Sequence, residues 1–236
     1  MKIFILLPAY NEEADLPQLF SSIQKNLRNV DHSVVVVDDG STDRTAEIAK
    51  SSGATLLRHE KNRGLGAAIR TGFSHVVRIA DANDVVVTMD ADNSHDPASV
   101  LEMIKKIDEG CDVVIASRYC PGGKQVGVGF ARQLLSRGIN FIFQVLFPIK
   151  GVRDYTSGFR AYRVKVIGLY GEGLIRNSGF PCMAEILIKL SAVGAKICEI
   201  PLILRYDFKK GGSKLRYSKI FTEYFQLLID LKRGLS

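Results

Sequence analysis

The sequence predicts an α/β fold, a Rossmann-like and mostly parallel sheet with helices on both faces. Up to about residue 116, short apolar runs alternate with stretches whose apolar residues recur at helical spacing. Several of those runs also end in a turn rich in Asp, Asn or Gly. Such alternation means right-handed βαβ units, and ligands of such sheets bind outside the carboxyl ends of the strands.

The expected strands are 3–7, 34–37, 54–58, 85–89 and 113–116. Leu16, Leu19, Phe20, Ile23 and Leu27 form one helical face, with Asp15 as N-cap and Pro17 in the first turn. Ser41 or Thr42 is placed to cap the helix through Ala46 and Ile48, and Pro97 to open the one carrying Val100, Ile104 and Ile107. Past Arg118 the pattern changes. Residues 120–129 hold one proline and four glycines, which predicts a mobile loop beside the site. A helix over 131–147, a turn-rich 152–158 and a strand over 159–163 follow. The remainder reads as loop and helix over 178–194, a strand over 196–204 interrupted by Pro201, and a final helix over 217–233. No internal repeat is visible, so residues 1–236 read as one domain. Its first half is 1–116, and 117–236 is a C-terminal elaboration.

Charge divides along the same line. Residues 1–115 carry 12 Lys and Arg against 18 Asp and Glu, and residues 116–236 carry 20 against 7. A basic half points to an anionic partner. Nucleic acid is not expected, because no helix-turn-helix, zinc-finger or RNP-type motif accompanies the charge. Cys111, Cys120, Cys182 and Cys198 show no C-x-x-C pairing and are expected as free thiols in a reducing compartment. No signal or spanning segment is expected: the opening apolar run is five residues long and ends at Pro8.

Asp90-Ala91-Asp92 directly follows the apolar run 85–89. Alone it reads as a solvated acidic turn. Two carboxylates one residue apart at a strand end also suit a hard divalent cation that is shared with substrate phosphates. The turns after the first three runs, Pro8-Ala9-Tyr10-Asn11-Glu12, Asp38-Asp39-Gly40-Ser41 and Asn62-Arg63-Gly64-Leu65-Gly66, lie on the same sheet edge in a parallel fold. Tyr10 can stack on a base, Glu12 or Asp39 can accept hydrogen bonds from base or ribose, and glycines allow close backbone approach. The glycines lack a full dinucleotide fingerprint, and no P-loop is present.

These segments, together with Val36–Asp43 and Ser117-Arg118-Tyr119, resemble the inverting glycosyltransferases of family 2. That resemblance implies a GT-A fold, a nucleotide-sugar donor and Mg²⁺ or Mn²⁺ on Asp90 and Asp92. Arg132, Ser136–Asn140, Thr156-Ser157-Gly158-Phe159-Arg160 and Gly212-Ser213-Lys214-Leu215 extend it to the polyprenyl-phosphate branch, the dolichol-phosphate mannosyltransferases. The resemblance assigns Pro8, Tyr10, Glu12, Val37, Asp39, Asp90, Ala91, Asp92, Arg118, Arg205 and Lys214 to the nucleotide-sugar. It assigns Arg118, Arg132 and Ser136 to the acceptor phosphate, and Asp92, Arg118 and Arg132 to catalysis. The implied reaction moves a hexose, mannose from GDP-mannose, onto a polyprenyl or dolichyl phosphate. The enzyme is expected to be cytoplasmic and peripheral at the cytoplasmic face of a membrane. The apolar side of the final helix (Ile220, Phe221, Tyr224, Phe225, Leu228, Leu231) reads first as packing against the body and otherwise as a membrane-surface or partner-helix face. Membrane contact would come through that face or through a membrane-anchored subunit.

Two other readings stay open. One is a family 2 enzyme that uses UDP-glucose or a similar donor and a saccharide acceptor, with Asp154 as general base. The other is a binding module without turnover, which intact Asp90, Asp92 and Arg118 argue against.

Overall fold

A computed structural model describes residues 1–208 and 217–234, apart from the side chains of 172, 217–221 and 232–234. Its elements run β1 (Ile3–Ala9), α1 (Leu16–Leu27), β2 (His32–Asp38), α2 (Thr45–Ser51), β3 (Thr55–Arg58), α3 (Leu65–Ile79), β4 (Val85–Thr88), α4 (Ser99–Asp108) and β5 (Val113–Ser117). Then follow β6 (Lys124–Val126), α5 (Phe130–Leu146), β7 (Arg160–Arg163), α6 (Val164–Gly168), α7 (Cys182–Ala192), β8 (Ile197–Pro201), β9 (Ile203–Arg205) and α8 (Tyr217–Gly234).

Seven strands form one sheet in the order β3-β2-β1-β4-β7-β5-β8. Every pairing in it is parallel except those of β7, which runs antiparallel between β4 and β5. Both faces are covered, so the central strands read as unbroken apolar runs. Along β1 the side chains alternate between two cores. Phe4 and Leu6 join α3, α5, α6, α7 and α8, whereas Ile3, Ile5 and Leu7 join α1, α2 and α4. The predicted α/β layering is therefore present.

The reversed strand positions the site. Thr88 stands opposite Arg160, and Ile115 pairs Arg160 from the other side. The residues just before β7 therefore emerge at the carboxyl ends of β4 and β5. That edge also carries the turns after β1, β2 and β3.

Local details depart from the sequence expectations. Asp15 occupies the N-cap position but makes no capping hydrogen bond; it is buried and accepts one from Asn93. Helix α2 starts at Thr45, not after Ser41 or Thr42, because Ser41 Oγ accepts from the Asn11 N–H instead. The 120–129 segment contains β6, which pairs with β9 in a separate two-stranded sheet. Pro201 does end the preceding strand, and Leu202 N bonds to Ser117 O before β9 begins.

The cysteine expectation is corrected outright. Cys111 and Cys198 form a disulfide across the paired β5 and β8 edge, with Cα atoms 6.2 Å apart. Their separation of 87 residues hides this pairing from any local spacing rule. Cys120 and Cys182 are free. In α8, Tyr224 and Leu231 pack inward with Leu227, Leu228 packs partly buried against the same core, and Phe225 points out; the side chains of Ile220 and Phe221 lie outside the described residues. No helix among the described residues is long and apolar enough to cross a membrane.

Candidate active site

A cavity of about 750 Å³ opens at the carboxyl edge of the sheet. One wall consists of the turns after β1, β2, β3 and β4, and brings together Pro8, Tyr10, Glu12, Asp39, Asp90, Ala91 and Asp92. Asn11 and Asn93, at φ of 53° and 60°, take the left-handed backbone that lets these turns double back.

Asp39 has a structural task within this wall. Its two oxygens accept from the Arg63 and Gly64 N–H groups at 2.9 and 2.8 Å, and His59 Nδ1 lies 2.6 Å from Oδ1. The carboxylate thus ties the end of β2 to the glycine loop. Gly64 has φ 95°, and a Cβ there would collide with the Ser178 carbonyl oxygen. The loop therefore seats the 177–180 segment. Glu185 holds that segment from behind by accepting from the Arg176 and Asn177 N–H groups.

Asp90 and Asp92 differ in environment. The Asp90 side chain is 45% exposed beside Gly158 in the cavity. Asp92 is buried, and its Oδ1 accepts from the Ser94 N–H and hydroxyl. His95 was not foreseen. It stacks on Phe159 at 4.8 Å and accepts the Asp90 N–H at Nδ1, so its proton belongs on Nε2, 3.8 Å from Asp90 Oδ2. Its place three residues after Asp92 was the only signal in the sequence. Among the described residues no three His, Cys, Asp or Glu groups cluster into a cage. A hard cation that draws its other oxygens from phosphates needs only one or two carboxylates, and Asp90 and Asp92 both line the cavity.

The facing wall comprises α5 and the turn before β7. Arg118, Arg132, Ser136 and Thr156 line it, as do Glu223 and Tyr224 of α8. Arg118 departs from an open phosphate receptor. Its Nε and Nη2 donate to Asp154 at 2.8 and 2.7 Å, and Nη2 also donates to Thr156. Burial opposes the charge of both partners, but their mutual attraction and hydrogen bonds outweigh it. The Arg118 guanidinium is driven above its ordinary pKa and the Asp154 carboxyl below its own.

Asp154 also accepts from the Arg118, Thr156 and Ser157 N–H groups, and is fully buried. It is a strut and not an available base. Behind it, Glu199 accepts the Arg153 and Asp154 N–H groups, with burial pushing its carboxyl pKa up. Thr88 Oγ1 donates to Gly158 O at 2.7 Å, which ties the turn to β4 below Asp90.

Arg132 stacks over Tyr206 at 4.4 Å, and Ser136 Oγ accepts from the Tyr119 hydroxyl. Two predicted residues stand apart from the cavity, and a third is not described. Val37 is fully buried in β2 and does not line the cavity. Arg205 is half-exposed and paired to Asp207, away from the cavity lining. Lys214 lies outside the described residues.

Residues 4–170 match the model of glycosyl transferase family 2. The chain belongs to that family. It is 36% identical to a dolichol-phosphate mannosyltransferase of Pyrococcus furiosus over 99% of its own length, but spans only 64% of that relative. It is 29% identical to a polyprenol monophosphomannose synthase of Mycolicibacterium smegmatis, covering 96% of this chain and 85% of that one. Among solved structures it is similar to glucosyl-3-phosphoglycerate synthase of Mycobacterium tuberculosis in complex with Mn²⁺, UDP and glucosyl-3-phosphoglycerate. The TM-score is 0.72 at 22% identity, over 98% of this chain and 78% of that one, a likeness of fold.

Proposed function

We propose that this family 2 protein transfers a hexose, mannose from GDP-mannose, to a polyprenyl phosphate with inversion at the anomeric carbon. The observation that carries the reading is one cavity with the Asp90 and Asp92 carboxylates on one wall and the Arg132 guanidinium, with Ser136 and Thr156, on the other. The names of the Pyrococcus and Mycolicibacterium relatives support the acceptor class and the sugar.

Asp90 and Asp92 would hold Mg²⁺ or Mn²⁺, which when bound supplies charge compensation for the donor diphosphate. Tyr10 and Glu12 line the same cavity and would receive the base and ribose. Asp39 contributes by holding the 62–64 loop, as its hydrogen bonds require. A lipid monophosphate is already an anionic nucleophile and needs positioning more than a strong base. One of its oxygens bonds to the anomeric carbon while the sugar–diphosphate bond breaks, the electron pair leaving with the nucleoside diphosphate. Arg132 offsets the repulsion between the two anions, and Ser136 and Thr156 supply hydroxyls on the acceptor side. Arg118 acts by fixing Thr156 and the turn around it.

A saccharide acceptor with Asp154 as base is disfavoured. That carboxylate is fully buried and held by Arg118.

The test is a donor panel of GDP-mannose, UDP-glucose and GDP-glucose against a short polyprenyl phosphate, with and without Mn²⁺. Mannosyl transfer that chelator abolishes is the expected result. Transfer only from a UDP-sugar, or only to a saccharide, would overturn the reading.

A further inference from the structure

Among the described residues, the second half exposes a large apolar surface. On α5, Phe130, Leu134, Phe141 and Val145 are 81%, 62%, 66% and 61% exposed. At 3.6 residues per turn these four positions fall within one narrow sector of the helix. They form a stripe along most of its length of about 25 Å. Ile142 and Leu146 extend it on one side, both exposed. Four large side chains in one such row are unlike the scattered exposed apolar residues of an ordinary surface.

The charge carried by this stretch of the chain has a single sign. Residues 113–153 contain six Lys and Arg and no Asp or Glu. Arg137 borders the stripe on α5, and Lys124, Lys150 and Arg153 stand exposed at its two ends. An apolar row flanked by four exposed cations, with Asp207 near its start already paired to Arg205, matches an anionic bilayer, with hydrocarbon below and lipid phosphates around it. The opposite side of the same helix supplies Arg132, Leu135, Ser136 and Ile139 to the cavity.

We propose that the outward face of α5 is a docking surface for an anionic membrane, and that it presents the cavity to lipid-borne substrate. This places the contact on α5. The choice of substrate rests on the proposed function; the docking does not.

The experiment is co-sedimentation of the full chain with vesicles of phosphatidylcholine alone or mixed equally with phosphatidylglycerol. Binding to the mixed vesicles that weakens with salt is expected. Phe141→Ser with Val145→Ser should weaken it at least about tenfold, the scale of losing two buried apolar side chains. Arg137→Glu should weaken it less and flatten the salt dependence. Neither variant touches the cavity lining, so thermal unfolding and turnover on a short water-soluble polyprenyl phosphate should match the unaltered chain. Turnover on a long-chain acceptor in mixed vesicles should fall with binding.

Absence of vesicle binding, or equal binding by the double variant, overturns the proposal. So does a dimer that the double variant dissociates, since the stripe would then face a second copy. Vesicle binding without any glycosyl transfer would leave docking standing and remove the proposed function; transfer without binding would do the reverse.

Discussion

The two walls of the cavity are built on different physical plans. The wall proposed for the donor is a row of turns, each a few residues long and each fixed by the strand it follows. The wall proposed for the acceptor depends on one buried ion pair, Arg118 with Asp154, which joins the end of β5 to a turn 36 residues later. A wall of local turns loses function residue by residue. A wall hung on a buried charge pair loses its shape when either charge is removed.

The largest effect should come from the donor side. Asp92→Ala is expected to lower turnover by about 10³-fold or more, the range of losing a main electrostatic stabiliser of the leaving group. Thermal unfolding should move little, since the Ser94 contacts it removes are local. Initial rates with GDP-mannose and a polyprenyl phosphate measure the first, and calorimetry the second. Near-normal turnover would break the assignment of this wall to the diphosphate.

Asp154→Ala should do the opposite, costing stability as well as rate. Removing one partner of a buried pair leaves the other charge uncompensated, at about 3–5 kcal/mol. Urea unfolding of Asp154→Ala, Arg118→Met and the double variant gives the coupling, and the double variant should be less unstable than the two losses added. The pH dependence has a definite sign. Asp154 has a folded pKa below its unfolded value of about 3.9. Its contribution is therefore complete above about pH 4 and lost as pH falls through the lower, folded value. Urea midpoints measured from neutral to acid pH should fall less steeply in Asp154→Asn than in the unaltered chain.

The same contrast explains what the sequence made legible. Asp90, Asp92, Tyr10, Glu12 and the glycine loop each follow an apolar run, and parallel topology alone carries them to one edge. The acceptor side depends on contacts that no spacing encodes. Asp154 resembled a base because nothing local shows its pairing with Arg118. Likewise, Cys111 and Cys198 resembled free thiols because β5 and β8 are neighbours only in the folded sheet. His95 was missed for the converse reason. It lies within the acidic motif, but its value comes from stacking on Phe159, which arrives on the reversed strand. The insertion of β7 between β4 and β5 was invisible in the run of Phe159–Arg163, since direction is not written in apolar pattern.

Within the acceptor wall, Arg132 should separate binding of the two substrates. Arg132→Ala is expected to raise the acceptor KM about 10- to 100-fold, the scale of one charge-assisted phosphate contact, with donor affinity unchanged. Full kinetics in both substrates decide it. Equal loss on both sides would mean that Arg132 supports the cavity through Tyr206, over which it stacks, and not the acceptor phosphate.

The smallest effect should come from Arg205, the cation that family resemblance places on the donor diphosphate. Here its guanidinium donates two hydrogen bonds to Asp207 and lies over the Phe208 ring at 4.0 Å. The pair is exposed, and exposed pairs of this kind contribute little. Arg205→Ala should therefore change turnover and donor affinity by less than about twofold, within the range of ordinary surface substitutions. A tenfold loss of donor affinity would mean that the guanidinium leaves Asp207 when the diphosphate binds. Asp207→Ala distinguishes the two cases. If Arg205 swings to the donor, freeing it from Asp207 should strengthen donor binding; if the pair only shapes the surface, the affinity should stay where it was.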